Sequence, residues 1–140
     1  MLSACSGGER IDSSRPVSSQ VALIIEGRTP SQVAEEVVDW LVEASPADRD
    51  FARELTAAIV SAYDSADTGN SARFAHALDS IKETLSVKKL AKVYVVSARP
   101  ARLGVLMKGS AASPELISEI RKAYSSDSLS LSIFNNALSD

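Results

Sequence analysis

Cysteine is nearly absent from this sequence: Cys5 stands alone among 140 residues. That excludes a disulfide within the chain and a cysteine-rich zinc site, which needs several thiolates. A lone thiol fits a reducing compartment, and the expectation is a cytoplasmic protein. Histidine is as scarce, with His76 the single one. Any Ser-His-Asp or Cys-His arrangement would have to use it. Cys5 falls in a stretch without apolar periodicity, which gives a nucleophile no rigid geometry. His76 follows Phe74 by two positions, about 200° around a helix, and so faces away from the apolar seam.

Aromatic residues make up only 5% of the chain. Val, Leu, Ile and Ala must build the core, with Trp40, Phe51, Phe74 and Phe134 as its bulky members. No apolar run approaches the ~20 residues that span a bilayer, so no membrane span is expected. Leu2-Ser3-Ala4-Cys5 matches the end of a lipoprotein signal. Such a signal needs an apolar stretch of roughly 7–15 residues ahead of it, and only Met1 precedes the match, so it reads as a chance tetrapeptide, with a truncated signal as the alternative. Glycine-rich phosphate cradles are missing too. Gly27, Gly69, Gly104 and Gly109 stand singly, and neither the P-loop nor the dinucleotide fingerprint occurs.

The remaining chemical candidates are weak. Ser86-Val87-Lys88-Lys89 has the Ser-x-x-Lys spacing of some acyl-transfer enzymes but none of the companion motifs. Ser86 reads better as a helix end or cap. Glu36 and Asp39 can share a helix face, yet no histidine lies near them to complete a carboxylate metal site. Asp64, Asp67 and Asn70 do not follow the alternating ligands of a calcium loop. The expectation is a non-catalytic protein with no cofactor and no metal.

What the sequence has is a clear pattern of elements. Residues 1–19 are rich in Ser, Gly and charge, and are expected to form a disordered tail. Residues 20–140 are expected to form one mostly helical domain. Gln20 to Glu26 (QVALIIE) reads as a buried strand, with a helical turn as the alternative. Thr29-Pro30-Ser31-Gln32 is a helix start with a capping box. Val33, Val37, Trp40 and Leu41 follow on one face. Ser45-Pro46-Ala47-Asp48 starts a second helix, with Phe51, Leu55, Ile59 and Tyr63 at steps of four. Gly69 marks the break before a third, seamed by Phe74, Leu78, Ile81 and Leu85.

Lys92 to Val96 (KVYVV) favours strand through its branched and aromatic residues. With Arg99-Pro100-Ala101 as a turn and Leu103 to Met107 (LGVLM) as the return, it predicts a β-hairpin. Ser113-Pro114-Glu115 starts a further helix. From Ser125 onward strand and helix are both open. The predicted fold class is therefore α+β: predominantly helical, with a three-helix core, a small antiparallel hairpin sheet and a C-terminal helix.

Charge is unevenly spread along the chain. Residues 1–79 carry 6 Arg and 13 Asp or Glu, a balance of −7, whereas residues 80–140 carry 9 Lys or Arg and 5 acids, a balance of +4. Between Lys82 and Lys108 there are seven cations and one acid, Glu83. Clustered cations attract phosphates and acidic surfaces. This pattern points to a regulatory or adaptor protein that binds another macromolecule, with Lys88, Lys89, Lys92, Arg99 and Arg102 as electrostatic anchors. A protein partner or self-association fits best, because the acidic helices offer a matching surface. Nucleic acid is the alternative. A basic hairpin after three helices has the outline of a winged-helix transcriptional regulator, although the chain as a whole is acidic, with a net charge of −3.

Overall fold

The computed structural model describes residues 11–66, 69–109 and 113–139. These residues form eight α-helices: α1 (Val21–Ile25), α2 (Pro30–Glu43), α3 (Arg49–Ala66), α4 (Asn70–Thr84), α5 (Val87–Ser97), α6 (Pro100–Gly109), α7 (Pro114–Ala123) and α8 (Ser128–Ser139). Single 3-10 turns at Val17–Ser19 and Pro46–Asp48 precede α1 and α3. No strand occurs among the described residues. The expected α+β fold is thus corrected to an all-helical one: QVALIIE contributes α1, KVYVV lies in α5, and LGVLM lies in α6.

The correction has a physical cause in the packing of α5. Its apolar residues divide between two cores. Val93 and Val96 join the cluster built by α1 to α4, while Ala91 and Val95 join the cluster built with α6, α7 and α8. A helix buried on two sides is apolar nearly all round, and a continuous apolar run of branched residues looks like a strand. The propensity penalty for valine in a helix is at most ~0.7 kcal/mol per residue. Burying a valine side chain contributes ~1.5–3 kcal/mol, so packing wins. Ser86 starts the helix by accepting a hydrogen bond from the Lys89 amide at 3.3 Å.

Pro100 opens α6, where its missing N–H removes nothing from the helix. Leu103 and Met107 are both buried. They lie four residues apart, one helical turn and not a strand alternation. Gly104 sits where α6 crosses α8: a Cβ there would lie 2.6 Å from Ala137 Cβ and 2.7 Å from the Phe134 carbonyl oxygen. The serine-rich C-terminus, open between strand and helix from sequence, is α8. Asp127 starts it, accepting from the Ser130 amide at 3.1 Å and from Ser130 Oγ at 2.6 Å. These hydrogen bonds hold the Asp127 carboxyl below the usual carboxylate range.

The helices expected over α2, α3 and α4 are present, but the core they build also takes in α1, α5 and residues Ile11 and Val17. Val33, Val37 and Leu41 of α2, Leu55, Ile59 and Tyr63 of α3, and Phe74 of α4 are buried together. The capping box of α2 is complete: Thr29 Oγ1 accepts from the Gln32 amide at 3.2 Å, and Gln32 Oε1 accepts from the Thr29 amide at 2.9 Å. Gly69 adopts a left-handed φ of 76° between α3 and α4, the conformation for which glycine suits a helix junction.

Of the nineteen residues expected to form a tail, 1–10 lie outside the described residues. Within residues 11–19, Ile11 and Val17 are buried in the first core, while residues 13–16 and 18–19 are exposed. Gln20, only 1% exposed, ties them down. Its Oε1 accepts from the Asp12 amide at 2.8 Å, and its Nε2 donates to the carbonyls of Asp12 at 2.8 Å and Arg15 at 3.0 Å. One buried amide side chain thus pairs backbone groups that have no helix to satisfy them.

Candidate functional site: a lysine-lined cleft

The three lysines singled out from sequence all lie on the first half of α5, and all three are exposed. Lys88 and Lys92 are four residues apart and so share a face. With Glu119, Lys122 and Ala123 of α7 they line a cleft of about 280 Å³. Lys122 Nζ is paired with Glu119 Oε2 at 3.2 Å. Lys88, Lys89 and Lys92 form no ion pair among the described residues.

Arg99 and Arg102 are exposed at the start of α6. They too form no ion pair among the described residues. The length of α5, about 16 Å for its 11 residues, lies between them and Lys88. The structure therefore divides the five predicted anchors into a lysine group at the N-terminus of α5 and an arginine group at the N-terminus of α6. Lys88, Lys89, Arg99 and Arg102 sit at the positive end of a helix macrodipole, where cations weaken the helix and add to its outward positive field, and Lys92 lies one turn further along α5. Local helix stability argues against this placement, and long-range attraction of an anionic surface gains from it.

Sequence reasoning missed Lys122 and Glu119, which reach the cleft from a helix distant in the chain. It also read Glu36 and Asp39 as sharing one helix face. Glu36 instead is 2% exposed, and its Oε1 accepts from Arg28 Nη1. Its Oε2 is buried without a hydrogen-bond partner. The available signal was position: Glu36 stands three residues after Val33 and just before Val37, inside the apolar stripe. Around it, Glu26, Arg28, Glu35 and Asp39 line a second cleft of about 480 Å³. This places an acidic cleft on the α1–α2 side of the molecule and a basic one between α5 and α7.

His76 is exposed on α4, and Ser86 Oγ is engaged as the cap of α5. Cys5 lies outside the described residues. No group of three or more His, Cys, Asp or Glu is placed to hold a metal among the described residues. No helix among them is long and apolar enough to cross a membrane.

A third polar cluster borders the second core. Tyr124 of the second core is fully buried, and neither its Oη nor Arg49 Nη1 has a hydrogen-bond partner. Burial pushes the Tyr124 hydroxyl from 10.0 up to about 12, opposed by the Arg49 guanidinium and reinforced by Asp127. The folded chain thus holds this proton more tightly than the unfolded chain does. The stability linked to it is complete below pH 10 and is lost as pH rises toward the folded value. Tyr124→Phe should remove an alkaline loss of up to roughly 2–3 kcal/mol. At neutral pH it should be neutral or slightly stabilising, since no hydrogen bond is lost. Urea unfolding at about pH 8 and about pH 11 checks both statements. Tyr63, whose hydroxyl is also raised by burial, should add to the alkaline loss in the same direction.

No protein-family model, curated protein or solved structure matches the chain.

Proposed function

We propose that the protein is a non-catalytic adaptor or regulatory protein of the cytoplasm, docking an acidic protein partner through the lysine-lined cleft between α5 and α7. The observation that carries this reading is the pair Lys88 and Lys92, exposed on one face and without ion pairs among the described residues. They share their cleft with Lys122. Unpaired lysines at a helix N-terminus steer an acidic surface inward and fix its register. The winged-helix reading loses its support, because the residues assigned to the wing form α5 and α6.

The test is a pull-down at low salt with the full chain as bait. Lys88→Glu/Lys92→Glu should reduce recovery of the specific partner at least tenfold, a loss of ~1.4 kcal/mol or more. Far-UV circular dichroism should be unchanged, because both side chains are exposed. Arg99→Glu/Arg102→Glu should weaken recovery less, since those residues lie at the other end of α5. Full recovery with the lysine variant overturns the reading. A low-salt gel shift with duplex DNA or RNA that responds to the same variant reassigns the cleft to nucleic acid.

A further inference from the structure

Two oppositely charged clefts on one chain raise the question of whether they fit each other. Glu35 and Asp39 stand four residues apart on α2, exposed, and line the acidic cleft with Glu26. Lys88 and Lys92 have the same spacing on α5. On a helix that spacing sets side chains about 5–6 Å apart, so two carboxylates on one helix meet two ammonium groups on the other in register. Each pair is self-repelling within its own chain, and docking relieves both repulsions at once. Neither pair is neutralised by an ion pair among the described residues.

The acidic cleft also holds a polar group that calls for a cation. Glu36 is 2% exposed and lines the cleft. Arg28 engages its Oε1, while Oε2 is buried and unpartnered. One guanidinium among four carboxylates leaves the cleft negative. A point-like metal ion does not match, since no three ligating groups converge among the described residues. Lysine side chains do match: each carries a compact charge on a flexible stem that can reach into a cleft.

We infer that copies of this chain associate head to tail, the acidic cleft of α1–α2 in one copy receiving Lys88 and Lys92 of the next. This rests on the lysine cleft being a docking surface, and it names a second copy of the chain as one of its partners. The two clefts are different surfaces, so the contact is heterologous, and it closes into a ring or grows as an open chain. Exposed ion pairs carry it, so it is weak, concentration-dependent and sensitive to salt.

Sedimentation velocity on the full chain tests this. At about 20 mM salt the sedimentation coefficient should rise with protein concentration, and at about 500 mM the chain should be monomeric. Glu35→Gln/Asp39→Asn and Lys88→Gln/Lys92→Gln should each be monomeric alone at low salt. Mixed in equal amounts they should form a dimer that grows no further, because each retains one intact face. A wild-type chain that is monomeric throughout overturns the inference, even if the pull-down shows a different acidic partner on the lysine cleft. Persistence of association in either variant, or a mixture that stays monomeric, overturns it as well. Full recovery of the pull-down partner by the lysine variant, with the wild-type chain still self-associating, would fall on the adaptor reading alone.

Discussion

Replacing Gly104 by alanine should lower stability by about 1–3 kcal/mol, against the usual gain for this exchange in a helix. In an open helix interior, glycine costs roughly 0.8–1.0 kcal/mol relative to alanine. Gly104 reverses that sign because α6 and α8 cross there. The added Cβ would lie 2.6 Å from Ala137 Cβ, 2.7 Å from the Phe134 oxygen and 3.1 Å from the Leu138 amide nitrogen. Two of those atoms belong to helix backbone and cannot rotate away, so α8 must move as a body. Phe134, fully buried and tilted against Tyr124 at a ring-centroid distance of 5.9 Å, would move with it. Gly104→Val should be worse than alanine, through its larger volume and its branched Cβ.

Gly109 provides the control. It lies in the same helix with nothing within 4 Å of an added Cβ, so Gly109→Ala should be neutral or stabilising by about 0.4–1 kcal/mol. Urea unfolding of the two variants gives the comparison. Equal effects at 104 and 109 would show that the helices do not cross at Gly104.

Arg28→Met should cost about 3–5 kcal/mol. Glu36 is nearly inaccessible, and its ion pair with Arg28 Nη1 supplies the compensation that lets a carboxylate remain there. Without Arg28 the charge is left buried with one oxygen already unpartnered. Arg28→Met/Glu36→Leu should recover most of the loss, because replacing both members of a buried pair by apolar residues is often neutral or stabilising. If the single variant unfolds like wild type, Glu36 is solvated and the acidic cleft is shallower than described. If the double variant is no better than the single, Arg28 acts through contacts other than Glu36.

The helices α2, α3, α4 and α7 were legible in the sequence, whereas α1, α5, α6 and α8 were not. The seams of α2, α3 and α4 each bury one face, so their apolar spacing reads as 3.6-residue periodicity. The caps at Thr29 and Ser86 and the break at Gly69 carry their own local chemistry. The segment 87–109 misled because α5 serves two cores. Ala91 and Val95 face one, Val93 and Val96 the other, and the periodic signal of each stripe is erased by its neighbour. In α6 the small residue at the crossing, Gly104, breaks the hydrophobic spacing at the point where packing is closest. α8 hid behind serines because Ser130 is itself buried, its hydroxyl donating to Asp127.

The lysine cleft was half legible. The cations of α5 were visible as a charge run, whereas Lys122 and Glu119 reach the cleft only through the packing of α7 on α5. Gln20 and Glu36 carry the same lesson: a buried polar residue looks solvated until its partners, the Asp12 and Arg15 backbone or Arg28, are brought to it by the fold.

The central claim is that Lys88 and Lys92 are the docking contacts. Amine-reactive labelling of the complex isolated at low salt, read by mass spectrometry, tests it most directly. Lys88 and Lys92 should be protected at least tenfold relative to the isolated chain, while exposed Lys108 on α6 keeps its full reactivity. Equal labelling of Lys88 and Lys92 with and without the partner would contradict the account.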